Sequence, residues 1–97
     1  MSLIKILKSR NYRVIDVREP LELEMDGSVE GAENIPLGEV ESRKDEILSK
    51  DNETNTIIIC KSGGRSTKAL EYLQSQGLKN GYNGGSFASF RETLENL

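Results

Sequence analysis

Thr56-Ile57-Ile58-Ile59-Cys60-Lys61-Ser62-Gly63-Gly64-Arg65-Ser66 decides the fold. Thr56 to Cys60 is a β-branched, continuously apolar run, the pattern of a parallel strand buried on both faces. Lys61 to Arg65 forms a tight glycine loop. Ser66 to Gln76 reads as a helix, with Ala69, Leu70 and Leu73 facing inward and Gly77 as its stop. In open α/β sheets, ligands bind outside the carboxyl ends of the strands. Cys60 falls at that position, closing a buried strand and opening a loop ahead of a helix.

Working outward, Tyr12 to Arg18 reads as a second strand, apolar at its centre. Ahead of it, Leu3, Ile4, Ile6 and Leu7 cluster at helical spacing after Ser2, a candidate N-cap. Pro20 suits the first turn of a short helix over Glu19 to Glu24, closed by Asp26-Gly27. Gly31 to Pro36 reads as a loop leading to a short strand near Ile35. Val40, Ile47 and Leu48 predict one surface helix over Gly38 to Ser49. Its Glu39, Glu41, Arg43, Lys44, Asp45 and Glu46 make a solvated face. Asp51 to Asn55 is a polar loop. A short strand over Lys79 to Asn83 and a turn at Asn83-Gly84-Gly85 precede a final helix carrying Phe87, Phe90, Leu94 and Leu97. Strands alternating with helices predict an α/β fold, three layers in α/β/α order. The expected central sheet is small, mostly parallel and of four to five strands, with residues 1–97 forming one domain.

Composition narrows the chemistry. The 97 residues carry 13 basic and 16 acidic side chains, a net charge of −3. Such a balance argues against a nucleic-acid surface, which needs a basic patch. The N-terminal apolar stretch is short and broken by Lys5 and Lys8, so neither a signal peptide nor a membrane span is expected, and the reading is cytoplasmic. One cysteine and no histidine exclude an internal disulfide, a Cys-rich zinc site and every Cys–His or Ser–His–Asp arrangement. No metal or cofactor is expected.

The candidate nucleophile is Cys60. A thiolate is stabilised by a helix N-terminus and by nearby cations, and the inward-pointing amides of such a loop favour anions. Lys61, Ser62, Gly63, Gly64, Arg65 and Ser66 are therefore the expected substrate-binding residues. Gly63 and Gly64 permit positive φ and close approach, and Arg65 can clamp an oxyanion bidentately. Asp16 and Arg18 read first as a structural charge pair, with Arg18 a further candidate at the border of the pocket. The loop is not a nucleotide P-loop, because no Gly-Lys-Ser/Thr follows the glycines.

The segment Cys60-Lys61-Ser62-Gly63-Gly64-Arg65-Ser66 resembles the active-site loop of rhodanese domains, Cys-x-Ser-Gly-x-Arg-Ser, at every fixed position. Asp16-Val17-Arg18-Glu19-Pro20 resembles the family's Asp-x-Arg-Glu motif. Gly27 to Pro36 is similar to Gly-His-Ile-x-Gly-Ala-x-Asn-Ile-Pro. Tyr82 to Phe90 is similar to Leu-x-Gly-Gly-x-x-x-Trp. Four motifs in the family's order cover nearly the whole chain. Ser28 stands where the family has His, and Phe90 where it has Trp. The family's short leading strand has no counterpart before Ser2, which would leave a sheet edge open.

The resemblance implies a sulfurtransferase. Cys60 would take the outer sulfur of thiosulfate or a persulfide, then pass it to cyanide or a thiol acceptor. The partners implied are a small anionic sulfur donor, such an acceptor and a sulfur-relay protein, with no nucleic acid or membrane. Two other readings stand beside it. A cysteine phosphatase or arsenate reductase also holds a thiolate in an anion loop, but typically with five residues between Cys and Arg, where this chain has four. A rhodanese-like relay or binding module would dock one partner without independent turnover.

Overall fold

The computed structural model describes residues 3–97; Ser2, the candidate N-cap, lies outside them. The order of elements is α1 (Leu3–Ser9), β1 (Tyr12–Asp16), α2 (Pro20–Asp26), β2 (Glu33–Asn34), α3 (Leu37–Val40), α4 (Lys44–Leu48), β3 (Asn55–Cys60), α5 (Gly64–Ser75), β4 (Gly81–Ser86) and α6 (Phe87–Glu95). The four strands form one parallel sheet in the order β2-β1-β3-β4. Its edges are the two-residue β2 and the glycine-rich β4.

The continuous apolar run does what its composition requires. β3 is central, and alternate side chains go to opposite faces. Ile58 and Cys60 join Ile15, Val40, Ile47, Ala69 and Leu73 on the side of α3, α4 and α5. Ile57 and Ile59 join Ile6, Leu7, Val14, Phe87 and Phe90 on the side of α1 and α6. Ile57, Ile58 and Ile59 are all 0% exposed, so the strand is apolar on both faces because both faces are covered.

Three expectations are corrected. The segment from Gly38 to Ser49 is two short helices, α3 and α4, not one. A bend at Glu41–Arg43 lets Val40 and Ile47 enter the same core, while Arg43 spans Glu39 at 3.5 Å and Glu46 at 2.8 Å. Leu97 lies beyond the end of α6 and is exposed, so the final apolar stripe stops at Leu94. Gly84 and Gly85 are not a turn but part of β4, which extends to Ser86.

At Gly84 the β3–β4 register jumps: Ile58 pairs with Asn83, and Ile59 pairs with Gly85. Gly84 is the extra residue of a bulge. A Cβ there would lie 2.7 Å from Ile59 Cγ2, 2.8 Å from Ile57 Cγ2 and 3.3 Å from Phe90 Cδ1. Close packing of the sheet against α6 therefore demands glycine at this position.

Polar tethers close the remaining gaps. Asp51, mostly buried, accepts the backbone amides of Lys79 and Asn80, each at 2.8 Å. It holds the entry to β4 against the exit of α4. At the end of β1, Asp16 and Arg18 are both 0% exposed and pair at 2.7 Å.

Replacing Gly84 by Ala should cost about 1–3 kcal/mol through overpacking, because the branched Ile57 and Ile59 cannot both retreat. Gly38→Ala, at a site with no atom near the new methyl, should leave stability unchanged or slightly raised. Asp16→Ala should cost about 3–5 kcal/mol, since it leaves the Arg18 guanidinium buried without its counter-charge. Thermal melts of the three variants against the parent check all of these.

Candidate active site

Cys60 ends β3, and the residue is 1% exposed. The loop that follows curls back over it. The Gly63 amide donates to Cys60 Sγ at 2.9 Å, and Ser66 Oγ lies 3.4 Å from the same sulfur. Gly63 takes φ +99°, the left-handed conformation that lets the chain enter α5 directly. Gly64 has no positive φ, so only the first of the two glycines is needed for backbone geometry.

Two effects oppose each other at the sulfur. Burial pushes the thiol up, because the charged form loses its water. Hydrogen bonding from the Ser66 hydroxyl and from the amides of Ser66, Gly63 and Ser62 pulls it down, and the net result lies below an ordinary thiol. Hydroxyl and amide dipoles thus do most of what Lys61 and Arg65 were expected to do. Lys61 is exposed at the rim.

Arg65 is engaged elsewhere. Its Nη1 and Nη2 donate to the two carboxylate oxygens of Glu22 at 2.7 and 2.8 Å. Glu22 also accepts the backbone amide of Glu19 at 2.8 Å, closing the first turn of α2. The guanidinium holds the Glu22 carboxyl down at about 2, so the pair is charged throughout the neutral range. None of the α2 side chains is fully buried. Arg65 consequently ties this lightly seated helix to the Cys60 loop. Glu22 was not among the sequence candidates; Arg65 gave no signal of its partner, which lies 43 residues away.

Arg18 does not line an open pocket. It is 0% exposed. Its Nε and Nη2 donate to Asp16, and Nη2 also donates to the Gly27 carbonyl at 2.9 Å. The guanidinium carbon sits 3.7 Å from the centre of the Phe87 ring, a stacking cation–π contact. The charge pair is a structural one. It fixes the β1–α2 connection through Nε and Nη2 of Arg18, while the buried Nη1 has no hydrogen-bond partner among the described residues.

Asn83 is the residue that motif reading passed over. Its Oδ1 lies 2.8 Å from Ser66 Oγ and accepts the Gly85 amide at 2.9 Å. Its Nδ2 donates to Thr67 Oγ1 at 2.8 Å, and Thr67 Oγ1 donates to the Gly63 carbonyl at 2.7 Å. Its pairing with Ile58 puts it on the Cys60 face of the sheet, beside the loop.

Among the described residues, no cluster of His, Cys, Asp and Glu could hold a metal ion. No helix among them is long and apolar enough to cross a membrane. A cavity of about 610 Å³ is lined by Leu7, Arg10, Tyr12 and Arg13 among others and includes no residue of the Cys60 loop. What the arrangement can do chemically is hold one thiolate, without a general base, in a ring of donors.

Comparison with known proteins agrees with this geometry. Over 72 residues the chain is 44% identical to rhodanese-like/PpiC domain-containing protein 12, chloroplastic, of Arabidopsis thaliana, covering 73% of this chain and 24% of that protein. It spans only 24% to 54% of the length of the first three curated relatives it matches. The crystal structure of a rhodanese-related protein from Thermoplasma volcanium superposes with a TM-score of 0.70 at 38% identity, covering 89% of this chain and 82% of that one. The human single-domain sulfurtransferase TSTD1 superposes with a TM-score of 0.70 at 26% identity, covering 98% and 91%. The family model of the rhodanese-like domain matches residues 2–92. With the Cys60 loop, the parallel sheet and this match in agreement, the chain belongs to the rhodanese-like domain family.

Proposed function

We propose that this chain is a sulfurtransferase working through a persulfide on Cys60. The observation that carries the proposal is the Gly63 amide 2.9 Å from a nearly inaccessible Cys60 Sγ. Donors aimed at a lone sulfur favour its thiolate, the nucleophilic form.

The chemistry follows from that state. The Cys60 thiolate attacks the outer sulfur of thiosulfate or of a persulfide donor. A new S–S bond forms, the donor's S–S bond breaks, and sulfite or a thiolate leaves with the electron pair. The outer sulfur of the Cys60 persulfide is then attacked by cyanide or an acceptor thiolate, and Cys60 departs as the thiolate it was. Neither half needs an oxidant or a general base. Because Cys60 is the single cysteine of these 97 residues, none of them supplies a second thiol to resolve the persulfide, and the acceptor lies beyond them. A protein thiol in a sulfur relay fits that requirement. Lys61, Ser62, Gly63, Gly64 and Ser66 surround the incoming sulfur, with Lys61 the exposed cation that meets an anionic donor. Arg65 shares its charge with Glu22 and acts mainly by holding the loop.

The size of the ring favours sulfur over phosphate. Six residues run from Cys60 to Arg65, and Cys60 at their floor is buried. One transferred atom needs less room above it than a tetrahedral phosphoryl group with three oxygens to satisfy.

Incubation with thiosulfate should add one sulfur, about 32 Da, to the intact mass, removable by reductant, as covalent catalysis requires. Cys60→Ser should show neither adduct nor sulfur transfer to cyanide; an adduct that persisted would defeat the assignment. Hydrolysis of aryl phosphates should be negligible, and robust hydrolysis without sulfur transfer would favour the phosphatase reading. The alkylation rate should rise with pH through an inflection below the ordinary thiol value of about 8.5. Glu22, held near 2 by Arg65, stays ionised across that range, so the profile reports the sulfur. Ser66→Ala should move the inflection upward, because it removes the largest single contribution favouring the thiolate.

A further inference from the structure

The Ser66 hydroxyl has one proton and three acceptors within reach: Asn83 Oδ1 at 2.8 Å, the Gly63 carbonyl at 3.0 Å and Cys60 Sγ at 3.4 Å. It can serve one of them well at a time. With Cys60 as the thiol, Sγ–H donates to Ser66 Oγ and the hydroxyl donates onward to Asn83. With Cys60 as the thiolate, its proton gone to water, the same hydroxyl must turn to the sulfur.

The carboxamide of Asn83 is not free to answer by flipping. The Gly85 amide donates to its Oδ1, and its Nδ2 donates to Thr67 Oγ1, whose own proton goes to the Gly63 carbonyl. Every donor in this chain has a partner only when Oδ1 faces Ser66. The bulge supplies the aim: Asn83 and Gly85 pair with successive residues of β3, so the Gly85 amide folds back onto the Asn83 side chain two residues away.

We propose that Asn83 is a positioning residue for Cys60, its Oδ1 competing with the sulfur for the Ser66 proton and so setting how readily Cys60 ionises and leaves. The proposal rests on the reading of Cys60 as the nucleophile. The charged groups around the sulfur are accounted for separately. β1 brings the Asp16–Arg18 pair, α2 brings Glu22 on Arg65, and the loop brings Lys61. On β4 the titratable side chain is Tyr82, packed on the opposite face, and from α6 Arg91 lies over Phe87. None of these touches Ser66 Oγ, so the proton of that hydroxyl is contested by Asn83, Gly63 and Cys60 alone.

The test is the pH profile of Cys60 alkylation by iodoacetamide, with thermal melts alongside. Asn83→Asp puts a charged acceptor on Ser66 and should raise the inflection by about one pH unit. Asn83→Ala removes the competitor and should lower it. In a Ser66→Ala background, Asn83→Ala should produce no further shift. A merely structural role would lower stability in both variants and leave the inflection in place. Inflections unchanged from the parent, or moved the same way by Asp and Ala, would overturn the proposal. Asn83 is exposed, so Asn83→Ala keeps the test decisive if Asn83→Asp does not fold: a downward shift supports the proposal and no shift overturns it. Alkylation needs only the thiol. Failure to form a persulfide from thiosulfate would count against the nucleophile reading without altering these inflections.

Discussion

A sulfur atom buried at the end of a central strand resists ionisation, and the architecture around β3 is organised against that resistance. Cys60 is 1% exposed, so the charged form gives up water on folding. Desolvation alone would leave an inert core thiol. The opposing contribution comes from dipoles held at short range by the start of α5: the Gly63 amide, the Ser66 hydroxyl and the neighbouring amides of the loop. The Gly63 amide is effective because it is already pointed at the sulfur when the chain folds, and the Ser66 hydroxyl has only to turn from Asn83 to reach it.

Holding such a loop requires supports that the loop cannot supply. From α2, Glu22 grips Arg65 through two parallel hydrogen bonds, geometry that a guanidinium and a carboxylate match well. Beneath, Arg18 uses one face on Phe87 and its edge on Asp16 and Gly27. These two arginines lie near each other in the fold, yet their uses differ. One fixes the loop from above at partial exposure; the other joins strand end, helix end and the ring that opens α6 in full burial. An ion pair as deep as Asp16–Arg18 contributes more to the uniqueness of the arrangement than to net stability, since desolvation offsets much of its attraction.

The bulge in β4 joins packing to chemistry. Gly84 is present because Ile57, Ile59 and Phe90 leave no space for a side chain. Asn83, the residue before it, pairs with Ile58 and so faces the Cys60 side of the sheet, and the shifted Gly85 donates its amide to the Asn83 side chain. A constraint in the core between sheet and α6 is thereby transmitted to a hydroxyl beside the sulfur on the other side of the sheet.

Much of this was legible in the order of residues. An uninterrupted apolar run at 56–60 can only be satisfied by cover on both faces, and that cover implies a parallel α/β sheet. A glycine loop between such a strand and a helix marks the carboxyl end as the candidate site, and the single cysteine there is the residue we propose as the nucleophile. What tertiary structure alone decided were the partners of the cations and the path of β4. Arg65 carries no mark of Glu22, because ion pairing across 43 residues depends on where two helices meet. Asn83-Gly84-Gly85 has the composition of a turn, and only contact with Ile57, Ile59 and Phe90 makes it a bulged strand. Local propensity describes what a segment permits; the neighbours packed against it select which of those conformations is used.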